Sequence, residues 1–339
     1  MLVVYDPGLT GYHEIRFESY QTEEWYNGIG TFTLIVSPTA HNIANLIKGA
    51  ILYRSETRQT MLVTRVNPDT SQGRITVNGY TANRLLNKRS ISVARSITTV
   101  ETGIYDAISD NLRSLPNIQT ASVKSLSETY DALLYGGQLL DEIIPVLDAV
   151  ELGQKAFYDK TSGKITFEIY KGEDLAAGSH AVVFSDEQGT ARDLKIEDDE
   201  STFANVCYVL GTLTDGTSEV RTVGAASAGD RYEYWHDSRL KQSSGEALAD
   251  FQARLDSAGL AELAKRVRKT GFSVRIDPTD FGVAYALGSV VKCVSKRFNF
   301  SFTARIKGVK RTAKAQSETV SLTLGEPTLT VLGEMKLYG

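Results

Sequence analysis

The stretch Trp25-Tyr26-Asn27-Gly28-Ile29-Gly30-Thr31-Phe32-Thr33-Leu34-Ile35-Val36 decides the fold class. From Thr31 onward Phe32, Leu34 and Val36 fall on one side, and Thr31, Thr33 and Ile35 on the other. A period of two is that of a β-strand with one buried face. Asn27-Gly28 ahead of it is a turn signal, because both residues tolerate turn backbone angles. The spacing of Gly28 and Gly30 invites comparison with a phosphate loop. A phosphate is held at a helix N-terminus, however, and this stretch leads into a strand. We read it as turn chemistry.

Outward from this stretch the pattern repeats. Residues 1–6 read as a strand that begins at once, and 13–20 alternate Ile15, Phe17 and Ser19 against Glu14, Arg16 and Glu18. Strands follow at 51–53, 60–66 and 74–80, the last with Ile75, Val77 and Gly79 in step. Gln72-Gly73 is a further turn, and a short helix fits between Pro38 and Ile47, with Gly49 closing it. Short strands in meander order point to a β-barrel or sandwich.

The character then changes. Thr98-Thr-Val-Glu101 is a capping-box pattern, and Val100, Ile104, Ile108 and Leu112 form one helical face that Pro116 ends. A second helix is expected over 138–152, with Leu140, Ile143, Ile144, Leu147 and Val150 inward and Pro145 as a kink or late start. A hairpin follows at 155–158 and 164–170. Strands return at 203–210 and 219–223. A long helix spans 244–269 with Leu248, Phe251, Leu255, Leu260, Leu263 and Val267 inward, and Ser257-Ala258-Gly259 as a break. The remainder, 272–276, 289–294, 300–309, 319–324 and 328–332, is again β. The expected fold class is mainly β with an α+β insertion: 1–96 with about 197–225 as a first barrel, 97–196 as the insertion, and 226–339 as the long helix and a second barrel.

The chain has 339 residues, 42% hydrophobic and 23% charged, and a net charge of -4. That length suits two or three domains. The charge argues against tight binding of nucleic acid. No apolar run approaches a membrane span, and residues 1–6 lack the basic start of a secretory signal. Cys207 and Cys293 each lie in β-branched, apolar surroundings and read as reduced, buried thiols. The sequence leaves a disulfide between them open.

Catalytic patterns fail throughout. There is no GxSxG, HExxH, Walker loop or GxGxxG. The histidines His13, His41, His180 and His236 have no His or Cys neighbour at metal-ligand spacing. His236-Asp237 reads as a chance pair, since strand neighbours point apart. Asp198-Asp199-Glu200 lacks the spaced oxygens of a calcium loop and reads as a solvated turn. Two aromatic clusters, Trp25-Tyr26 and Tyr232, Tyr234, Trp235, suit either core or a sugar platform, with core favoured. Lys265, Arg266, Arg268 and Lys269 suit the end of a helix dipole. The basic stretch from Arg305 to Lys314 reads as the wet face of a strand. Either basic cluster suits a partner subunit. No catalytic, cofactor-binding or metal-binding residue is assigned, and no cofactor is expected.

Several segments, taken in order, resemble a known family. They are Trp25-Tyr-Asn-Gly28 to Phe32-x-Leu34; Ile75 to Gly79-Tyr80 followed by Arg84-Leu-Leu86; Leu139-Leu-Asp-Glu-Ile-Ile144; Ile165-Thr-Phe-Glu-Ile-Tyr-Lys-Gly172; Phe203-Ala-Asn-Val-Cys-Tyr-Val-Leu-Gly211; and Leu287-Gly-Ser-Val-Val291. Their order resembles the hub proteins of siphophage tails, also called tail-associated or baseplate hub proteins. Ser289 stands where that family usually has Asp.

The resemblance implies two tail-tube-like β-barrels with an inserted domain. It also implies a homotrimer, in which three chains with two similar barrels each imitate a sixfold ring. The implied partners are the distal tail protein, the tail tube and the tape-measure protein. DNA would pass through the channel without specific binding. The implied place is the virion tail, after synthesis in a host cytoplasm. The chain stops at Gly339, just after the last expected strand, so no lytic extension is expected. A cell-wall hydrolase and a glycan- or receptor-binding tail protein are the competing functions.

Overall fold

The period-two pattern that opens the chain is built as β1 (Leu2–Tyr5), β2 (Tyr12–Glu14), β3 (Ser19–Trp25), β4 (Thr31–Val36), β5 (Ile51–Arg54), β6 (Gln59–Asp69) and β7 (Arg74–Thr81). The computed structural model describes residues 1–185, 187–266, 269–276, 280–297, 300–314 and 317–329. The chain is mainly β, with 47% strand and 18% helix. Contacts divide it into two units, Met1–Lys195 with Phe272–Gly339, and Ile196–Gly271.

Both faces of the N-terminal sheet are covered, which is why β1 is buried at every position. Leu2 and Val4 join Leu34, Val36 and Val77 in one core, while Val3 and Tyr5 join a second. The strand expected over 13–20 is split, because the chain changes partners there. β2 pairs with β1 and β3 with β4, and between them Ile15 N donates to Leu2 O. The short helix α1 (Ala40–Asn45) forms as expected, its first turn capped by Thr39 Oγ1, which accepts from Asn42 N at 3.1 Å.

Next come β8 (Ser90–Thr99), α2 (Val100–Asn111), β9 (Ile118–Thr120), β10 (Thr129–Gln138), α3 (Leu139–Ala149), β11 (Gly153–Asp159) and β12 (Lys164–Tyr170). The apolar faces of α2 and α3 fill the second core with Ile104, Ile108, Ile143 and Leu147. The capping box does not form. Buried Glu101 instead accepts from Lys124 N and Leu126 N at 2.8 and 3.0 Å, so the carboxylate satisfies a loop rather than its own helix end. Pro145 lies inside α3, and the hairpin β11–β12 is in register from Gly153↔Tyr170 to Asp159↔Lys164.

β13 (Val183–Ser185) precedes the second unit, and β14 (Arg192–Asp199) runs across its start. That unit holds β15 (Val206–Thr212), β16 (Ser218–Gly224), β17 (Glu233–Lys241) and α4 (Leu248–Ala264). β15 lies between β16 and β17 in one sheet, so 197–225 is grouped with 226–271 and not with the N-terminal strands as the sequence reading had it. The reason lies in α4. Its Phe251 and Leu255 are buried against Cys207, Val209 and Val223, at about 1.5–3 kcal/mol for each side chain. The expected break at Gly259 does not occur. The helix runs through, and Gly259 serves packing instead: a Cβ there would lie 2.4 Å from Val209 Cγ2, so glycine lets helix and sheet approach. Leu248 and Leu260, expected inward, are exposed. Val267 lies outside the described residues.

The chain ends with β18 (Lys269–Ile276), β19 (Val290–Ser295), β20 (Phe300–Lys314) and β21 (Ser317–Leu329). Residues 330–332 of the last expected strand fall outside the described residues. β20 pairs with β19 and β21, and also with β3, from Gly308↔Trp25 to Lys314↔Ser19. The order β20-β3-β4-β7-β6-β5-β1-β2 therefore carries the N-terminal and C-terminal β regions in one sheet.

Candidate functional site

Tyr26 follows β3 and ties three stretches of sequence together. It is 1% exposed. Its hydroxyl accepts from Gly172 N at 2.9 Å and faces two acceptors, Glu151 O at 3.1 Å and Tyr170 O at 3.3 Å. Tyr26 N donates to Lys307 O at 2.8 Å, and Gln154 N donates to Tyr26 O at 2.7 Å. Burial pushes the phenol above its ordinary value, against the opposing Gly172 N–H. Gly153 and Gly288 wall the ring: a Cβ on either would lie 2.1 or 2.3 Å from Tyr26 Cε2. Arg305 lies with its guanidinium carbon 5.4 Å from the ring centroid, donates to Gly288 O at 2.8 Å and pairs with Glu151 at 2.9 Å. Tyr26 is thus a junction of residues 151–154, 170–172, 288 and 305–307.

A second junction is ionic. Glu318 on β21 accepts from both Arg54 on β5 and Arg311 on β20, and Arg311 is itself buried. Burial pushes the Glu318 carboxyl up, but the hydrogen bond and charge of Arg54 and the charge of Arg311 outweigh it and hold the group below its usual range. The basic stretch from Arg305 to Lys314 is thus only partly wet. Arg305, Lys307 and Arg311 face Glu151, Asp148 and Glu318, at 2.9, 3.7 and 3.3 Å.

The same unit holds a cavity of about 210 Å³. Glu24, Gln59, Thr57, Lys155, Phe157 and Trp25 are among its walls. Lys155 Nζ sits 3.1 Å from Glu168 Oε2, and Lys124 pairs with the same carboxylate.

The other sequence candidates disperse. Asp237 Oδ1 accepts from Arg239 N at 3.0 Å, and the His236 ring lies over Tyr234, so the two do not form a base and its orienter. His13 and His41 come together edge to face at 5.5 Å, which their sequence spacing did not foretell. No group of three or more His, Cys, Asp or Glu suited to a metal occurs among the described residues. The side chains of Asp198 and Asp199 lie outside the described residues. So do Arg268 and the side chain of Lys269, while Lys265 pairs with Glu262 and Arg266 covers the Tyr234 ring at 3.3 Å. Of the aromatic clusters, Tyr26 is core. Trp235 is 55% exposed and lies alongside Tyr208, centroids 6.3 Å apart. Both cysteines are free and buried. Burial pushes the Cys293 thiol up to about 12. No described helix is long and apolar enough to cross a membrane. Arg54, Gln59 and Glu318 carry no local motif, and their roles depend on pairings across the whole chain.

A family model described as "Siphovirus ReqiPepy6 Gp37-like protein" matches residues 1–326, which bears out the expected siphophage kinship. Among solved structures, the tail protein from Neisseria meningitidis MC58 is 12% identical, with a TM-score of 0.55, over 96% of this chain and 96% of that chain. The prophage MuSo2 43 kDa tail protein from Shewanella oneidensis is 11% identical, with a TM-score of 0.55, over 96% and 97%. Prophage tail protein gp18 from Listeria monocytogenes EGD-e is 10% identical, with a TM-score of 0.51, over 95% and 94%. These likenesses are of fold. No curated protein matches the chain.

Proposed function

The chain belongs to the Siphovirus ReqiPepy6 Gp37-like protein family, and from that membership we propose that it is the structural hub of a phage or prophage tail tip. In this reading three copies form a ring, each contributing two tube-like barrels that match the sixfold tube. The ring joins the tail tube and distal tail protein above to the tip below, with the tape-measure protein and DNA in its channel. The net charge of -4 suits a conduit, since a basic lumen would retain DNA.

The observation that carries the reading is the shared sheet. β3 and β20 join the two ends of the chain, and Tyr26 and Glu318 lock them, in a fold similar to that of solved tail proteins over 96% of the chain. A rigid tie of this kind suits a load-bearing ring. Light scattering on the purified chain, alone and with its tail neighbours, tests it. A particle of three times 37.1 kDa supports the hub. A strict monomer in both conditions removes it.

One observation favours a second reading, a glycan contact at the tail surface. Trp235, 55% exposed, stacks with Tyr208 at an interplanar angle of 29°. Glycan-array binding that is lost in Trp235→Ala would favour it, and a blank array would dismiss it.

A further inference from the structure

The walls of the 210 Å³ cavity hold two buried oxygens that the protein leaves unpaired. The amide donors are spent within the protein. Asn83 Nδ2 serves Gly28 O and Gln154 Oε1 at 3.0 and 2.9 Å, and Gln154 Nε2 serves Gly28 O at 2.7 Å. Gln59 Nε2 serves Thr22 Oγ1 at 3.1 Å and also Glu24. The Lys155 ammonium is held by Glu168 and by the Phe157 and Tyr170 rings. The acceptors are not spent. Gln59 is only 4% exposed, yet its Oε1 has no partner, and neither does the buried Thr57 Oγ1. A buried acceptor without a partner costs about 1–3 kcal/mol, so an occupant bearing donors is favoured. Burial also pushes the Glu24 carboxyl up, against Gln59 and Arg311, and a cation beside it would relieve that cost. Trp25 and Phe157 are also among the walls, and the Phe157 ring already holds cations, with Arg58 at 4.9 Å and Lys155 at 5.7 Å. The volume is below that of a drug-sized site and suits one small polar group.

We propose that this cavity binds a guanidinium or primary ammonium group, on a small organic cation or on a basic side chain. Glu24 supplies the charge, Gln59 Oε1 and Thr57 Oγ1 accept, and Trp25 and Phe157 flank. Arg58 lies over Phe157 at 4.9 Å and would compete for an anion, so sign of charge is the deciding property.

The test uses the full chain carrying Trp235→Phe, which leaves Trp25 as its single tryptophan. Methylguanidinium should change Trp25 emission saturably, in the millimolar range typical of one small group. Sodium chloride at equal ionic strength should not. Glu24→Gln and Thr57→Val, each checked for native near-UV circular dichroism, should weaken binding by about tenfold for Glu24→Gln and less for Thr57→Val. A blocked Gly-Arg-Gly peptide binding about tenfold more tightly than methylguanidinium assigns a polypeptide source, and equal affinity assigns a free cation. Saturable binding of methyl phosphate instead, methylguanidinium affinity unchanged in folded Glu24→Gln, or no saturable response overturns the proposal. The proposal does not depend on the hub reading, and either can fail alone.

Discussion

Arg54 donates both terminal guanidinium nitrogens to Glu318, at 3.1 and 2.8 Å, across 264 residues of sequence. The pair is mostly enclosed, with side-chain exposures of 16% and 24%, and buried Arg311 shares the carboxylate. It fastens β5 near the start of the chain to β21 near its end.

Glu318→Gln should therefore destabilise the protein by about 1–3 kcal/mol in urea unfolding, because two enclosed guanidinium groups lose a shared counter-charge, while Arg54 keeps the more exposed Glu56 at 3.5 Å. Replacing Arg54 and Glu318 together by Met and Leu should cost less than the single change, since one of those stranded charges goes with its partner.

The same carboxylate sets an acid limit. Its folded pKa is held below the usual range, so its stabilisation is present above the unfolded value of about 4.3 and is lost as pH falls through the folded value. Urea midpoints of the parent protein should fall more steeply below about pH 5 than those of Glu318→Gln. Parallel slopes would contradict the ion pair.

Removing the Tyr26 hydroxyl strands Gly172 N in a half-buried site, so Tyr26→Phe should cost about 1–2 kcal/mol in the same assay. Gly288→Ala should cost at least as much. Its φ is 95°, and its new methyl would strike the ring that Tyr26→Phe leaves in place.

In an open helix Gly→Ala stabilises by about 1 kcal/mol. At Gly259 the sign should reverse, with about 1–3 kcal/mol lost, because the methyl would be driven into Val209 and Val223. Urea unfolding of Gly259→Ala, followed by far-UV circular dichroism, checks it.

Thiol titration checks the cysteines. With Cys293 at about 12 and Cys207 also raised by burial, neither should react with Ellman's reagent at pH 8 in the native state. Both should react in urea without reductant. No reaction in urea would mean a disulfide.

Much of this fold was legible because local periodicity and burial agree. Phe32, Leu34 and Val36 alternate and are buried in the same step, and Ile104 and Ile108 follow the helical spacing inward. β8 and β10 escaped notice because they form a two-stranded sheet in which only Ile91, Ile97 and Leu134 are buried, leaving no sustained alternation. β17 escaped for a related reason: its partner β15 is parallel and more than twenty residues away, so no turn signal announces it. Gly259 looked like a helix break because propensity weighs glycine alone, and the close approach of Val209 is invisible in sequence. Of the junctions, Trp25-Tyr26 stood out as aromatic, but its role rests on Gly172, Gly288 and Arg305, which no local pattern ties to it.

The central claim is assembly, and solution mass tests it most directly. Multi-angle light scattering of the chain mixed with its tail neighbours should give a complex containing three 37.1 kDa copies. A complex that holds a single copy, or no complex at all, would contradict the account.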